Sequence, residues 1–348
     1  MNAPSPTTSG SITGTARDLA PGILFATAVA VAATLAAPAV ALVFPIPAMV
    51  LALLLGIALN RPAAAPLFQP GLTFCVKKLL RWAVALLGLR IALGDIVALG
   101  IGVALMVVAS MALTILAGFA LARALGQRSE YGALAGAATA VCGASAALAT
   151  TTVLPNYKGK EADVAFVVVA VNALSTLAMI AYPPLGAVLG FDHQTTGVLL
   201  GATIHDVAQV VGAGYAVSET AGNTAVVVKL FRVFLLLPVV LVIGWWFARS
   251  GAHAENAKVP APVFAFVFLG LCLLNTAMAY APALAPLYAP VREIAILAST
   301  WGLLIAIGAL GLGTSLAAIA RLGWRHIATV TGTTIVILAL AAGALLVI

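Results

Sequence analysis

The sequence predicts an all-α polytopic membrane protein, and its composition, its apolar segments and its short loops each support this prediction. Of the 348 residues, 63% are hydrophobic and only 8% are charged. The mean hydropathy is +1.17, which means more apolar surface than a soluble core can absorb. About eleven apolar segments follow one another, and most have the ~20 residues that a helical span requires. The loops between them leave no room for a soluble domain.

The chain begins with a tail over residues 1–18, rich in Ser, Thr, Pro and Gly, which predicts disorder. A single transmembrane domain is expected over residues 19–348. Its first segment is longer than a signal-peptide core and further spans follow at once, which favours a retained helix over a cleaved signal. The predicted segments are 20–43, 46–60, 72–94, 97–122, 131–154, 162–189, 196–216, 224–248, 262–281, 293–313 and 327–348.

The positions of Lys and Arg predict the orientation of these segments. With a cytoplasmic N terminus, the inner loops hold Arg17, Arg61, Lys77, Lys78, Arg123, Arg128, Arg249, Lys258, Arg321 and Arg325, and the outer side holds Lys158, Lys160 and Arg292. This asymmetry favours an N terminus inside and a C terminus outside. The net charge of +7 is thereby assigned to loops beside the bilayer and not to nucleic-acid binding. Three cysteines, Cys75, Cys142 and Cys272, have neither disulfide nor metal-ligand spacing, and no cofactor is expected.

Two internal similarities bear on an inverted repeat, from which many secondary transporters are built. Residues Leu87–Gly100 match Leu310–Gly323 at about half of their positions, and these two helices run in opposite directions in the predicted topology, as an inverted repeat requires. The stretch Gly132–Ala137 also resembles Gly197–Ala202, but the predicted topology gives these two the same direction. An inverted repeat is therefore predicted from the first similarity.

The segment 196–216 places ionisable side chains at membrane depth. His205 and Asp206 are adjacent, and Gln209 follows one turn later. Such groups cost several kcal/mol in hydrocarbon and usually face the protein interior or a water-filled path. The following Gly212-Ala-Gly214 predicts backbone that departs from a helix. Polar groups on an interrupted helix at mid-membrane indicate a transport site.

A second interrupted helix is predicted near 131–155, with its break at Gly143. The candidate binding residues there are Cys142, Gly143, Ala144 and Ser145. A break at Gly143 would free backbone N–H groups at the start of a half-helix, and such a terminus binds anions. The alternative is a face of small residues that only packs against another helix.

At this point the chain resembles a known family. The segments that carry the resemblance are Ala140-Val-Cys-Gly-Ala-Ser-Ala146, Asn172-Ala-Leu-Ser-Thr176, Ile204-His-Asp-Val-Ala-Gln-Val-Val-Gly-Ala-Gly214 and Lys229-Leu-Phe-Arg232. They are similar to the sulfate exporter family, bacterial inner-membrane proteins known as conserved hypotheticals. The resemblance implies kinship with cation/proton antiporters and with bile-acid and glutamate symporters, in which a core with two crossing interrupted helices moves against a scaffold. It also implies a homodimer and, as substrate, sulfate, sulfite or a sulfonate such as sulfoacetate.

The charged residues within the spans favour an anion independently of this resemblance. Arg90, Lys229 and Arg232 are cationic, whereas Asp206 is the well-buried acid. Unpaired buried charge is costly, so an excess of positive charge favours an anionic partner. The alternative for each cation is snorkelling to the interface. Three polar residues, Asn172, Ser175 and Gln209, complete the predicted binding cluster.

His205 and Asp206 are the predicted coupling residues. A histidine near a carboxylate is a plausible proton carrier at physiological pH. The structural alternative is that Asp206 caps the second half-helix while His205 bonds a neighbouring carbonyl.

The leading functional hypothesis is a secondary exporter of a small anion, coupled to H⁺, to Na⁺ or to the membrane potential. The alternative is a cation/proton antiporter of the same architecture. Such an antiporter usually needs paired acidic residues at mid-membrane, and in this sequence only Asp206 stands out there. An enzyme is not expected, because the histidines His193, His253 and His326 lie at span ends. A primary pump is not expected either, since no phosphate-binding Gly-x-x-x-x-Gly-Lys-Ser/Thr motif occurs.

Overall fold

A computed structural model describes residues 16–41, 48–249, 263–281, 284–314 and 324–347, and all regular structure in them is helical. The all-α prediction is therefore confirmed. A π-helical turn, Cys75–Leu79, and a 3₁₀ turn, Leu87–Leu89, interrupt the segment predicted at 72–94. The α-helices are α1 (Ala16–Ala41), α2 (Ala48–Ala58), α3 (Asn60–Ala63), α4 (Gln69–Phe74), α5 (Leu80–Leu86), α6 (Leu93–Ala98), α7 (Gly100–Ala124), α8 (Ser129–Ala140), α9 (Ala144–Thr151), α10 (Lys160–Val188), α11 (His193–Thr203), α12 (Val207–Val217), α13 (Glu219–Phe234), α14 (Leu236–Arg249), α15 (Val263–Ala279), α16 (Ala285–Gly313) and α17 (Trp324–Leu345).

Six helical stretches within the described residues are long and apolar enough to cross a membrane. They are Ala16–Val40, Gly100–Ala124, Lys160–Val188, Glu219–Arg249, Ala285–Gly313 and Trp324–Leu345. Shorter helices account for the remaining predicted segments, because a glycine or an extended residue divides several of them. The chain is thus a polytopic membrane protein, as predicted.

Parts of the sequence predictions lie at or beyond the limits of the described residues. Helix α1 begins at Ala16, so the last residues of the predicted tail are helical. Residues 1–15 of the tail lie outside the described residues, as do residues 315–323 of the repeat that begins at Leu310.

The chain divides into two compact units. The first comprises the residues up to Ala83 together with Thr300–Thr314. Its helices cross closely at glycines: a Cβ added to Gly22 would lie 2.7 Å from the Cα of Gly71, and one added to Gly56 would lie 2.9 Å from the Cα of Gly311. Small residues at such crossings let helix backbones approach in a membrane, where apolar burial does not drive association.

The second unit, Val84–Ser299 with Ser315–Ile348, contains the segment 129–152, which forms a helical hairpin. Arg128 precedes the first arm, α8, and Tyr157 follows the second arm, α9. The Arg128 guanidinium nevertheless lies 5.6 Å from the centre of the Tyr157 ring. The segment therefore returns to the face at which it begins. We call it hairpin 1.

The segment 193–217 forms a second hairpin. A Cβ on Gly197, near the start of α11, would lie 2.7 Å from the Ala221 carbonyl oxygen. A Cβ on Gly214, near the end of α12, would lie 2.8 Å from the Cα of Gly222. Both outer ends thus contact the same turn of α13, so this segment also returns to its starting face. We call it hairpin 2.

Helix α10 joins the bases of the two hairpins and shows that they enter from opposite faces. Near its start, the Phe166 ring lies 6.3 Å from that of Tyr131 at the base of hairpin 1. Near its end, a Cβ on Gly186 would lie 2.9 Å from Thr196 at the base of hairpin 2. We name the two ends of this unit the Arg128 face and the Glu219 face, after the residues that mark them.

This topology changes the predicted position of two lysines. Lys158 and Lys160 were expected across the membrane from Arg128, because hydropathy alone makes segment 131–154 a span. Since hairpin 1 returns to its starting face, both lysines lie on the Arg128 face. That expectation was wrong, and the correction increases the excess of basic residues on that face.

Side-specific labelling of introduced cysteines tests the first hairpin. A membrane-impermeant maleimide is expected to label Arg128→Cys and Lys158→Cys from the same side of sealed vesicles, and Thr220→Cys from the other side, because these positions are exposed at the two faces. The native cysteines are at most 5% exposed and provide a low background. Labelling of the first two variants from opposite sides would mean that segment 129–152 crosses the membrane.

Candidate functional site

The tips of the two hairpins meet near the middle of α10. Gly143, between α8 and α9, has φ +63°, and a Cβ added there would lie 3.6 Å from the Cβ of His205. The break predicted at Gly143 is confirmed. In hairpin 2 the break lies at Ile204–Asp206, where Ile204 and Asp206 are extended, and not at Gly212-Ala-Gly214, which was predicted and is helical. Those glycines instead permit close packing, as Gly214 does against Gly222.

Gly143→Ala is expected to destabilise the protein although there is space for the methyl group. The nearest atoms to an added Cβ are at ordinary contact distance, but φ +63° with ψ −126° is a conformation that L side chains rarely adopt. The expected cost is about 1–3 kcal/mol, measurable as a lower unfolding temperature in detergent. Gly270→Ala is the control, since Gly270 is helical and has no neighbour within 4 Å of its added Cβ. Equal unfolding temperatures for the two variants would contradict the strain at Gly143.

Lys229 of α13 joins the two tips. Its side chain is fully buried, and Nζ donates to the Val141 carbonyl at 2.7 Å and to the Ile204 carbonyl at 2.9 Å. The first acceptor belongs to hairpin 1 and the second to hairpin 2. Lys229 therefore does not snorkel to the interface.

Arg232, one turn further along α13, also donates to backbone carbonyls of both hairpins, and it makes more of these bonds than Lys229. It is fully buried, and its guanidinium donates to the carbonyls of Thr139 (2.9 Å) and Ala140 (2.8 Å) in hairpin 1 and of Gly201 (2.9 Å) and Ile204 (3.2 Å) in hairpin 2. These are carbonyls at the C-terminal ends of α8 and α11, where acceptors lack intrahelical partners and the helix dipole is negative. Both cations thus stabilise the inner ends of the first arms. Their predicted contact with a substrate remains a prediction.

His205 anchors the tip of hairpin 2 to α17. Its Nε2 lies 2.9 Å from Thr334 Oγ1, and the Thr334 hydroxyl donates to the Val330 carbonyl at 2.8 Å. Because a hydroxyl has one proton to donate, Nε2 is the donor to Thr334. Thr139 and Thr333 make a parallel contact at 2.9 Å between hairpin 1 and α17. Sequence reasoning missed these threonines, although Thr333-Thr334 in an apolar helix was a usable signal.

Asp206 caps α12, as the structural alternative proposed. Its Oδ1 accepts from the Ala208 N–H at 2.8 Å, and its own N–H donates to Ser175 Oγ at 3.1 Å. Gln209 is fully buried and donates through Nε2 to Thr176 Oγ1 at 2.8 Å and to the Asn172 carbonyl at 3.3 Å. The predicted residues Asn172, Ser175 and Gln209 therefore do gather with Asp206 at the hairpin tips.

The start of α9 differs from the start of α12. The residue that precedes α9, Gly143, has no side chain with which to cap the helix, and the Ala146 N–H hydrogen-bonds the Cys142 thiol. Cys142 before the break is buried, Ala144 is half-buried and Ser145 is exposed. The N–H groups of Ala144 and Ser145, in the first turn of α9, are therefore not bound by an N-cap side chain and lie beside the exposed Ser145 hydroxyl, which is an arrangement that binds anions at helix N-termini.

Arg90 is not part of this cluster. Its Nη1 lies 3.7 Å from Glu219 Oε1, and its guanidinium lies 5.6 Å from the centre of the Tyr215 ring. Glu219 begins α13, and Arg232 lies thirteen positions further along the helix, which is about 20 Å along the axis. The structure thus places Arg90 at the Glu219 face, away from the other two predicted cations.

Metal ligands do not gather at the tips. Among the residues that the structure describes, no group of three or more His, Cys, Asp or Glu side chains is arranged to hold a metal ion.

The sequence comparisons assign the chain to a family. The family model described as conserved hypothetical protein 698 matches residues 21–330. The chain belongs to this family. One similar protein is the UPF0324 membrane protein CT0845 of Chlorobaculum tepidum, which is 40% identical over 93% of this chain and 88% of its own length. Another is the UPF0324 membrane protein TauZ of Paracoccus pantotrophus, 44% identical over 83% of this chain and 85% of its own length. No solved structure matches significantly.

Proposed function

We propose that the protein is a secondary transporter of a small anion in the bacterial inner membrane. The observation that carries the proposal is the start of α9, where Gly143 provides no N-cap side chain, at the meeting point of two hairpins that enter from opposite faces. Irregular backbone at membrane depth is tolerated only where protein buries it or where it lines a cavity. In secondary transporters, such broken helices hold the substrate, and their N-termini point at anionic groups.

The charges around the tips support an anion and not a cation. A helix end carries about half an elementary charge, so the two C-terminal ends at α8 and α11 offset the two N-terminal ends at α9 and α12. Lys229 and Arg232 add two positive charges, and Asp206 adds one negative charge. About one positive charge is left, and burying it without a partner is costly.

The same charge balance leads to a hypothesis for coupling. A divalent anion such as sulfate carries two negative charges, one more than the single positive charge left at the tips. Protonation of Asp206 removes one negative charge from the site and makes the occupied site neutral. Asp206 is half-buried, whereas His205 is fully buried and would add a third positive charge beside Lys229 and Arg232. We therefore assign proton coupling to Asp206 and a structural role to His205.

An inverted repeat is part of this proposal, with the hairpins as equivalent elements. Gly132–Ala137 lies in the first arm of hairpin 1, and Gly197–Ala202 lies in the first arm of hairpin 2. The two arms run inward from opposite faces, so their similarity fits an inverted repeat after all. The basic residues on the Arg128 face favour a cytoplasmic location for that face.

The test is equilibrium binding of radiolabelled sulfate to the purified protein, with sulfite and sulfoacetate as competitors. Ser145→Asp places a carboxylate in the first turn of α9, where it is compatible with the helix dipole and occupies the anion site. Ser145→Asn is the uncharged control. Binding by the wild type and by Ser145→Asn, with loss in Ser145→Asp, is expected. Equal binding by all three proteins would place the anion elsewhere.

A further inference from the structure

A separate cavity of about 220 Å³ lies at the Glu219 face. The outer lining residues Gln194 and Thr220 are exposed to solvent. The inner lining is apolar: Ile91 is fully buried and Val227 is 7% exposed. The cavity is thus polar at its mouth and apolar at its inner end, and it is smaller than the pockets that bind drug-sized ligands.

Asn223 lines this cavity, and Arg90 precedes the lining residue Ile91 in the chain. The Asn223 Oδ1 accepts from the Tyr215 hydroxyl at 2.6 Å, so that Nδ2 is the end of the amide left to donate to a ligand. The Tyr215 ring is also the ring over which the Arg90 guanidinium lies. Arg90 therefore sits one residue from the lining residue Ile91 and beside the partner of Asn223.

Two acids at this face whose side chains the structure describes, Asp192 and Glu219, are occupied or exposed. Asp192 caps α11 by accepting the Thr195 N–H at 2.7 Å, a hydrogen bond that holds the pKa of Asp192 below its usual range. The Glu219 side chain is 70% exposed, and its 3.7 Å contact with Arg90 is longer than a hydrogen bond. An exposed ion pair of this length is weak, so an incoming anion can replace Glu219 on Arg90.

We propose that this cavity binds a short organic anion, with its charged group on Arg90 and Asn223 and its carbon end against Ile91, Leu99 and Val227. A bare oxyanion would have to lose its hydration against these aliphatic side chains, which offer no hydrogen bonds. A sulfonate or carboxylate with a short carbon chain fits both ends of the cavity. This inference concerns a second site and does not depend on transport by the hairpin tips.

The experiment is equilibrium binding of ethanesulfonate to the purified full-length protein, with sulfate as the comparison. Arg90→Gln is expected to weaken ethanesulfonate binding about tenfold or more, because it removes a charge-assisted contact. Glu219→Gln is expected to strengthen it several-fold, because it removes the competing carboxylate. Glu161→Gln, another exposed acid in the first turn of its helix, is the matched control and is expected to change nothing.

The outcomes separate this site from the hairpin tips. Since Glu219 is exposed, the gain in affinity of Glu219→Gln does not depend on whether Arg90→Gln folds. If Glu219→Gln leaves ethanesulfonate binding unchanged and Ser145→Asp abolishes it, the ligand binds at the tips. That result would overturn this inference and leave the proposed function intact. Tighter binding of sulfate than of ethanesulfonate at the Arg90-dependent site would also overturn it.

Discussion

Replacing Arg232 with methionine is expected to lower the free energy of unfolding by about 3 kcal/mol or more. The guanidinium is the donor for buried carbonyls in both hairpins, including those of Thr139, Ala140 and Gly201. Each buried acceptor that loses its donor costs about 1–3 kcal/mol. These carbonyls lie at the negative C-terminal ends of α8 and α11. Without the guanidinium between them, the two helix ends repel each other, and this repulsion separates the tips. The measurement is the unfolding temperature of the purified protein in detergent.

The control for Arg232→Met is Arg123→Met, which removes an exposed arginine at the end of α7. This variant is expected to unfold at the wild-type temperature. Lys229→Gln is expected to be intermediate, because it removes the charge and the two bonds donated by Nζ but keeps an amide NH2 group that can still donate. Wild-type stability of Arg232→Met would contradict the role of Arg232 in joining the tips.

Asp206→Asn is expected to abolish the response of transport to a pH gradient while leaving the fold intact. Asparagine is as good an N-cap as aspartate, so the bond from the Ala208 N–H is retained. The variant removes the group that takes up the proton. A proton-coupled anion accumulates up to about tenfold per pH unit, since one unit corresponds to ~1.4 kcal/mol. This accumulation, measured in proteoliposomes, is expected to fall to the level without a gradient.

Asp192→Asn is the matched control for coupling, because Asp192 also caps a helix but lies at the Glu219 face. It is expected to keep the full response to the gradient. If Asp206→Asn accumulates the anion as the wild type does, the proton is carried by another group, and His205 is the next to test.

The sequence predicts the fold class and the break at Gly143 because both depend on local chemistry. Apolar length identifies membrane helices, and a glycine among small residues allows a left-handed backbone. Hydropathy cannot distinguish a segment that returns to its face from one that crosses, since hairpin 1 and a span have the same length and apolarity. The prediction of the side on which Lys158 lies was wrong for that reason.

The partners of Lys229 and Arg232 were beyond sequence reasoning for a different physical reason. Their spacing on α13 correctly predicted a shared face. Their acceptors are backbone carbonyls, which become available only because α8 and α11 end inside the protein. A search of the sequence for charge partners considers acidic side chains and does not include backbone carbonyls. Likewise, the contact of His205 with Thr334 joins residues 129 positions apart, so the polar pair Thr333-Thr334 in an apolar helix does not by itself identify its partner.

The most direct test of the central claim is the flux of radiolabelled sulfate into proteoliposomes, with sulfite and sulfoacetate as competitors and with Na⁺/H⁺ exchange followed in parallel. The proposed mechanism predicts anion flux in the wild type and in Ser145→Asn, and its loss in Ser145→Asp. No anion flux in the wild type, together with Na⁺/H⁺ exchange that persists in Ser145→Asp, would contradict it and identify a cation antiporter instead.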